Sequence, residues 1–121
     1  GTAVQAVARH LPRHGVTAFC PTSVACDPAM LAAFLEAVAR ARQTVDPDAA
    51  AVLPAHLESN FINPAWNGAQ PPSCLRTFAS PAPHAGPFTG DDIVEVITRQ
   101  AAAVGIVTVA PEMPGGLDLV R

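Results

Sequence analysis

His56-Leu57-Glu58 is the triplet whose residue types and spacing could do chemistry. On a strand, successive side chains alternate, so His56 and Glu58 point to one face and Leu57 to the other. A carboxylate at such a strand end can ligate a divalent metal or act as a base. From spacing alone the same Glu58 also reads as a solvated strand-end carboxylate or the partner of an Arg. Both readings stand until the surrounding elements are placed.

Those elements alternate between helix and strand. Val4, Val7, Ala8 and Leu11 follow helical spacing over Thr2 to Leu11, and Pro12 and Gly15 mark the end of that helix. Val16 to Cys20 reads as a buried strand stopped by Pro21. Asp27-Pro28 supplies an N-cap and a first-turn proline to a helix over about Ala29 to Thr44. Its apolar stripe is Met30, Leu31, Phe34, Leu35 and Val38. A second strand over Ala51 to Leu57 is weakened by Pro54, which cannot donate a ladder hydrogen bond. A long proline-rich loop then runs from Glu58 to about Gly90; a loop of that length in a compact domain usually serves function. Thr89-Gly90-Asp91-Asp92 caps a helix that Gly105 closes, and Ile106 to Ala110 is the third strand. Pro114-Gly115-Gly116 opens one further helix.

This order favours a parallel sheet with helical crossovers, whose ligands gather at the carboxyl ends of the strands. The fold class expected is α/β, about three parallel strands with their helices, filling residues 1–121 as a single segment. In a barrel Leu57 would lie under helices, and His56 and Glu58 would face the interior. The chain has 121 residues, about half the roughly 250 of a closed barrel.

Composition narrows the partners. Half the residues are hydrophobic, which excludes a disordered tail. All seven cations are Arg, against ten acidic residues. A net charge of −3 without a basic stripe speaks against nucleic acid and against an anionic membrane surface. No apolar run approaches the length of a spanning helix. The first residues carry neither a basic start nor a long apolar signal core. Cys20, Cys26 and Cys74 are odd in number and lack CxxC spacing, the pattern of a reducing, cytoplasmic compartment.

The stretch from His56 to Arg76, HLESNFINPAWNGAQPPSCLR, resembles the segment beginning HLEGPF in N-acetylglucosamine-6-phosphate deacetylases. That family segment continues through Asn-Pro, Gly-Ala-His-Pro and an Arg. RHGVTAFCPT, from Arg13 to Thr22, is similar to the family's HGVTAFLPT strand, and VTVAPEMPGG, from Val107 to Gly116, to its VTLAPE segment. The resemblance covers essentially the whole chain and implies a partial (β/α)8 barrel, an internal fragment of an amidohydrolase-superfamily enzyme. It implies hydrolysis of the acetamide of an amino-sugar phosphate, with a divalent metal such as zinc as cofactor. It maps the metal-binding Glu of the motif to Glu58 and the substrate-contacting Ala-His pair to Ala69 and Gln70. The family's remaining metal-binding histidines and its catalytic aspartate lie beyond the last matched segment, and an earlier barrel strand lies before residue 1. No catalytic residue is therefore assigned within the chain, which is expected to be inactive alone and to hold metal weakly.

Two positions depart from the family pattern. Ser59-Asn60 replaces Gly-Pro after the Glu, changing backbone freedom and adding polar groups. Gln70 replaces His and carries no cation at any pH, so a weaker grip on phosphate, or a different sugar derivative, is expected.

The other polar candidates read as structural. His10 and His14 have helical ligand spacing, yet Pro12 between them and Gly15 after them favour a role at the helix C-terminus. Cys20 reads as core, and Cys26 and Cys74 as unactivated loop thiols. His84 reads as a solvated loop residue, and Asp91 and Asp92 as helix capping. Glu112 could line the site or serve a helix start. Phe61 and Trp66 read as loop anchors, with a sugar-stacking face open to them. A rival reading is a non-catalytic α/β module, a homo-oligomer that covers its exposed sheet edges and apolar interior by self-association.

Overall fold

The computed structural model describes residues 2–78 and 87–121. Three passes of the chain run parallel, and two of them are broken by a proline. The first comprises β1 (Ala18–Phe19) and β2 (Thr22–Ser23), the second β3 (Ala51–Val52) and β4 (Ala55–Glu58), the third β5 (Val104–Thr108). Strand β1 pairs with β3, while β2, β4 and β5 form a three-stranded sheet in that order. Every pair is parallel, as the alternation of helix and strand predicts.

The breaks correct the expected boundaries. The first strand, expected over Val16 to Cys20, is Ala18–Phe19 and ends before Pro21, and β2 begins just after that proline in the other sheet. Hydrogen bonding between the two passes resumes at once, because the Pro21 carbonyl accepts from the His56 N–H at 2.9 Å. Pro21 lacks only the donor, so pairing lapses for a residue and resumes at Thr22. In the second pass Ala51 pairs with Ala18, whereas His56 pairs with Thr22. The offset between partners grows from 33 to 34 (51 minus 18, then 56 minus 22), so one extra residue is inserted around Pro54. That is a β-bulge, the accommodation a proline in a strand demands.

A second irregularity faces it. Ala55 pairs with Val104 but His56 pairs with Ile106. Gly105 therefore lies inside β5 and does not close the preceding helix as expected. A Cβ on Gly105 would sit 3.1 Å from the Pro54 Cβ. The two bulged positions pack on each other, and only glycine fits without displacing the proline ring. The helix before β5 ends at Arg99, and a 3-10 turn over Ala101–Ala103 leads into the strand.

Four α-helices complete the described fold: α1 (Thr2–His10), α2 (Pro28–Arg42), α3 (Gly90–Arg99) and the short α4 (Gly116–Leu119). The caps read from the sequence form. The Asp27 carboxylate accepts from the Met30 N–H at 2.8 Å, with Pro28 opening the helix. Thr89 and Asp92 close a reciprocal capping box at the start of α3, while Asp91 is exposed. Asp92 is held below the ordinary carboxylate range by hydrogen bonds from the Thr89 N–H and hydroxyl.

The core lies between α2, α3 and one face of the three-stranded sheet. Leu31, Leu35 and Val38 of α2 and Ile93 of α3 meet Ala55 and Leu57 of β4, all buried. Two members of the expected stripes do not join it: Met30 and Val7 are exposed. Phe61 anchors its loop into this core, whereas Trp66 is 82% exposed and anchors nothing.

Gly105→Ala is expected to lower stability by about 1–3 kcal/mol, the range for overpacking. Asp27→Ala is expected to cost about 1 kcal/mol through loss of the cap. Urea denaturation of each variant measures both, and an unchanged midpoint for Gly105→Ala would remove the bulge contact from the account.

Candidate functional site

The alternation in β4 separates structure from chemistry. Ala55 and Leu57 are buried against the helices, while His56 is half-buried and Glu58 exposed on the opposite face. Register carries neighbours onto that same face: Thr22 and Ile106 opposite His56, and Thr108 opposite Glu58. Ile106 is 52% exposed, so among the described residues nothing covers this side of the sheet.

His56 bridges all three strands. Its Nδ1 lies 3.3 Å from the Thr22 hydroxyl and its Nε2 2.8 Å from the Thr108 hydroxyl. Thr22 in turn donates to the Cys20 carbonyl at 3.3 Å. The Thr22 hydroxyl thus sits between the Cys20 carbonyl and Nδ1, and the Thr108 hydroxyl faces Nε2. The ring is fixed by two hydroxyls and leaves the neighbouring Glu58 carboxylate alone. Glu58 makes no ion pair or side-chain hydrogen bond among the described residues.

The loop after Glu58 is built as firmly as an element. Ser59, Asn60, Gln70 and Arg76 are all buried. The Ser59 hydroxyl donates to the Thr108 carbonyl at 2.6 Å and accepts from the Phe61 N–H at 3.1 Å. The Asn60 amide donates to the Cys26 and Cys74 carbonyls, each at 2.7 Å. Together these side chains tie the chain after β4 to the ends of β2 and β5. Ser59 and Asn60 are thus the staple of the strand ends.

Gln70 is also a staple. Its Oε1 accepts from the Ala25 N–H at 2.6 Å, and its backbone carbonyl accepts from the Asn67 amide at 2.6 Å. Ala69, beside it, is exposed. Arg76 donates to the carbonyls of Ser73, Leu75 and Phe88, and its guanidinium lies 3.8 Å over the Phe88 ring. It closes the loop onto the approach to α3. Sequence reasoning gave Arg76 no role; its signal was a lone Arg in a proline-rich stretch.

Glu112 follows β5 and reaches the same end of the sheet. Its Oε1 accepts from the Asn63 amide at 3.0 Å. That hydrogen bond, followed by one from its own backbone N–H, holds its carboxyl below the ordinary carboxylate range. Cys26 is buried, and burial followed by the adjacent Asp27 charge pushes its thiol up. A raised thiol is a poor nucleophile, in keeping with its reading as unactivated. Cys20 and Cys74 are half-buried, and all three cysteines are free. His84 lies outside the described residues.

The structure therefore brings His56, Glu58 and the Asn63–Glu112 pair to the carboxyl ends of the strands, with Gln70 stapled beneath. Among the described residues no group of three or more His, Cys, Asp or Glu is placed to hold a metal. At this end of the sheet, among the described residues, Glu58 is the carboxylate without a partner. Also among the described residues, no helix is long and apolar enough to cross a membrane.

Comparison with known proteins gives a consistent result. The chain is 39% identical over 111 residues to an N-acetylglucosamine-6-phosphate deacetylase of Danio rerio, covering 91% of this chain and 25% of that protein. It is 35% identical to the Rattus norvegicus protein of the same name and 32% identical to that of Homo sapiens, over 100% of this chain and 27% of each relative. No protein-family profile matches. The chain spans about a quarter of the length of the curated relatives it matches.

Two outcomes are expected. Asn60→Ala leaves two carbonyls without their donor and is expected to cost about 2–6 kcal/mol, given about 1–3 for each buried group left unsatisfied. Trp66→Ala should stay within about 0.5 kcal/mol; chemical denaturation compares them. The Glu112–Asn63 link should be intact above the ordinary carboxylate pKa and lost as pH falls through the lowered folded-state value. The Asn63 side-chain amide resonances in an NMR pH titration report that loss.

Proposed function

Taking as premise the kinship of the whole chain with part of the N-acetylglucosamine-6-phosphate deacetylases, we propose that it serves as one section of a longer metal-dependent amidohydrolase. The longer protein cleaves the amide bond of an N-acetylated amino-sugar phosphate, adding water and releasing acetate and the free amine. The observation that carries this reading is the unpaired Glu58 carboxylate at the carboxyl end of a parallel sheet, on the face that no described residue covers. Parallel sheets normally have both faces covered. Here the bare face fits the interior wall of a (β/α)8 barrel whose other strands lie in the remaining length of the protein.

In this reading Glu58 contributes one oxygen ligand to a divalent ion, a donor type zinc accepts. The bound ion supplies polarisation of the amide carbonyl and a lowered pKa for its water. His56, fixed between Thr22 and Thr108, keeps the wall beside Glu58 polar and rigid. Ser59 and Asn60 hold the turn that follows Glu58 to the neighbouring strand ends, and so set where its carboxylate points. Ala69 and Gln70 touch the sugar. Gln70 meets it with a neutral amide, since its carbonyl is committed to Ala25, and offers no charge to a phosphate. The other metal ligands and the acid/base aspartate come from outside these residues, so the 121-residue chain alone carries no deacetylase activity. The longer enzyme works in the cytoplasm as a homo-oligomer.

The test uses the longer protein. Glu58→Gln is expected to lower kcat roughly 100-fold or more, since losing even an outer-shell partner of a metal costs 10–100-fold. Bound metal should fall in parallel while the circular dichroism spectrum is kept. Full activity and metal content in that variant would end the assignment. Rates on phosphorylated and unphosphorylated N-acetyl sugars should differ little if Gln70 is the residue at the phosphate end. A strong phosphate preference would overturn that part.

A further inference from the structure

The structure assigns a second, separate metal site to His10 and His14, at the end of the sheet opposite Glu58. Pro12 and Gly15 argue in sequence against ligation by this pair. In three dimensions Pro12 does not separate them. It sits in the first turn of a 3-10 helix over Leu11–His14 that continues directly from α1, where a missing N–H costs nothing. The chain therefore keeps turning across the proline, and the two rings meet on one side.

The result is a close approach of the two ligand atoms. The Nε2 atoms lie 3.1 Å apart, the ring centroids 5.0 Å apart, and both residues are exposed. With metal–nitrogen bonds of about 2.05 Å, a separation of 3.1 Å corresponds to an N–M–N angle of about 98°. That lies between the right angle of square-planar or octahedral sites and the tetrahedral angle. The pair is thus set for one borderline transition-metal ion, such as Cu2+, Ni2+ or Zn2+, for which imidazole is the fitting donor. Without a metal, two imidazole nitrogens can approach this closely only if one carries the shared proton.

The surroundings carry both signs: the exposed Arg13 beside His14 makes no ion pair among the described residues, while the helix end opposes it. His10 ends α1, and the negative end of the helix dipole falls on the pair. The charge of the neighbouring Arg9 is offset by Asp46 at 2.8 Å. Water completes the remaining coordination, because no further His, Cys, Asp or Glu joins the pair among the described residues. Gly15, in the left-handed region at φ 77°, returns the chain toward β1 and fixes the last turn. This inference does not rest on the deacetylase reading.

Titration of the 121-residue chain with NiCl2 or ZnCl2, followed calorimetrically and by imidazole NMR resonances, tests it. One ion per chain is expected, with shifts confined to His10 and His14. His10→Gln and His14→Gln should each weaken binding at least tenfold, and Glu58→Gln should leave it unchanged. Both histidines are exposed, so their substitution leaves the core intact, and circular dichroism verifies it. Binding insensitive to both histidine variants, binding lost in Glu58→Gln, or one ion per two chains would each overturn the single-chain chelate. A failure of the Glu58 assignment in the longer enzyme leaves this titration unaffected.

Discussion

Everything functional in this chain depends on the two-sidedness of β4. Ala55 and Leu57 go into the core against α2 and α3, and His56 and Glu58 are left on the other face. A slip of one residue would exchange the two sets, burying a carboxylate and exposing Leu57. The energetic asymmetry is large. Burying the Leu57 side chain stabilises by about 1.5–3 kcal/mol, and an unpaired buried carboxylate would cost far more. The bulges at Pro54 and Gly105 are compatible with this register because each inserts its extra residue before His56, upstream of the polar face.

Hydrogen bonding then converts a register into a site. Three separate strand ends must be held together for residues from each to act at one place. Ser59 reaches the Thr108 carbonyl, Asn60 reaches the carbonyls of Cys26 and Cys74, and Gln70 reaches the Ala25 N–H. All three side chains are buried, so each bond is made in a setting where leaving it unmade is costly. A Gly-Pro at positions 59–60 has no side-chain donors for these contacts. Here the staple is carried by side chains, and the same residues that set the turn geometry also join the strands.

The caps, the helices and the parallel order were legible in the sequence, because each is set by short-range rules. Asp27-Pro28 and Thr89 with Asp92 announce helix starts whatever surrounds them. Strand boundaries were less legible. Pro21 read as a stop and Pro54 as a weakening, but a proline withdraws only a donor, and the Pro21 carbonyl still accepts from the neighbouring pass. Gly105 read as a helix end because its packing partner, Pro54, lies far away in sequence. The alternation placing His56 and Glu58 on one face was visible. The roles of Ser59, Asn60, Gln70 and Arg76 were not, since a buried polar side chain is recognisable only once its distant partner is placed. The His10–His14 approach belongs to the same class: the spacing was visible, but the continuation of helical geometry through Pro12 was not.

The central claim is that Glu58 is a metal ligand on the inner wall of a larger deacetylase. Anomalous diffraction from crystals of the longer protein, grown with its divalent metal, tests this most directly. The account predicts an anomalous peak about 2.0–2.2 Å from a Glu58 carboxylate oxygen, the zinc–oxygen range. A fully occupied metal elsewhere in the barrel, with the Glu58 carboxylate free of it, would contradict the account.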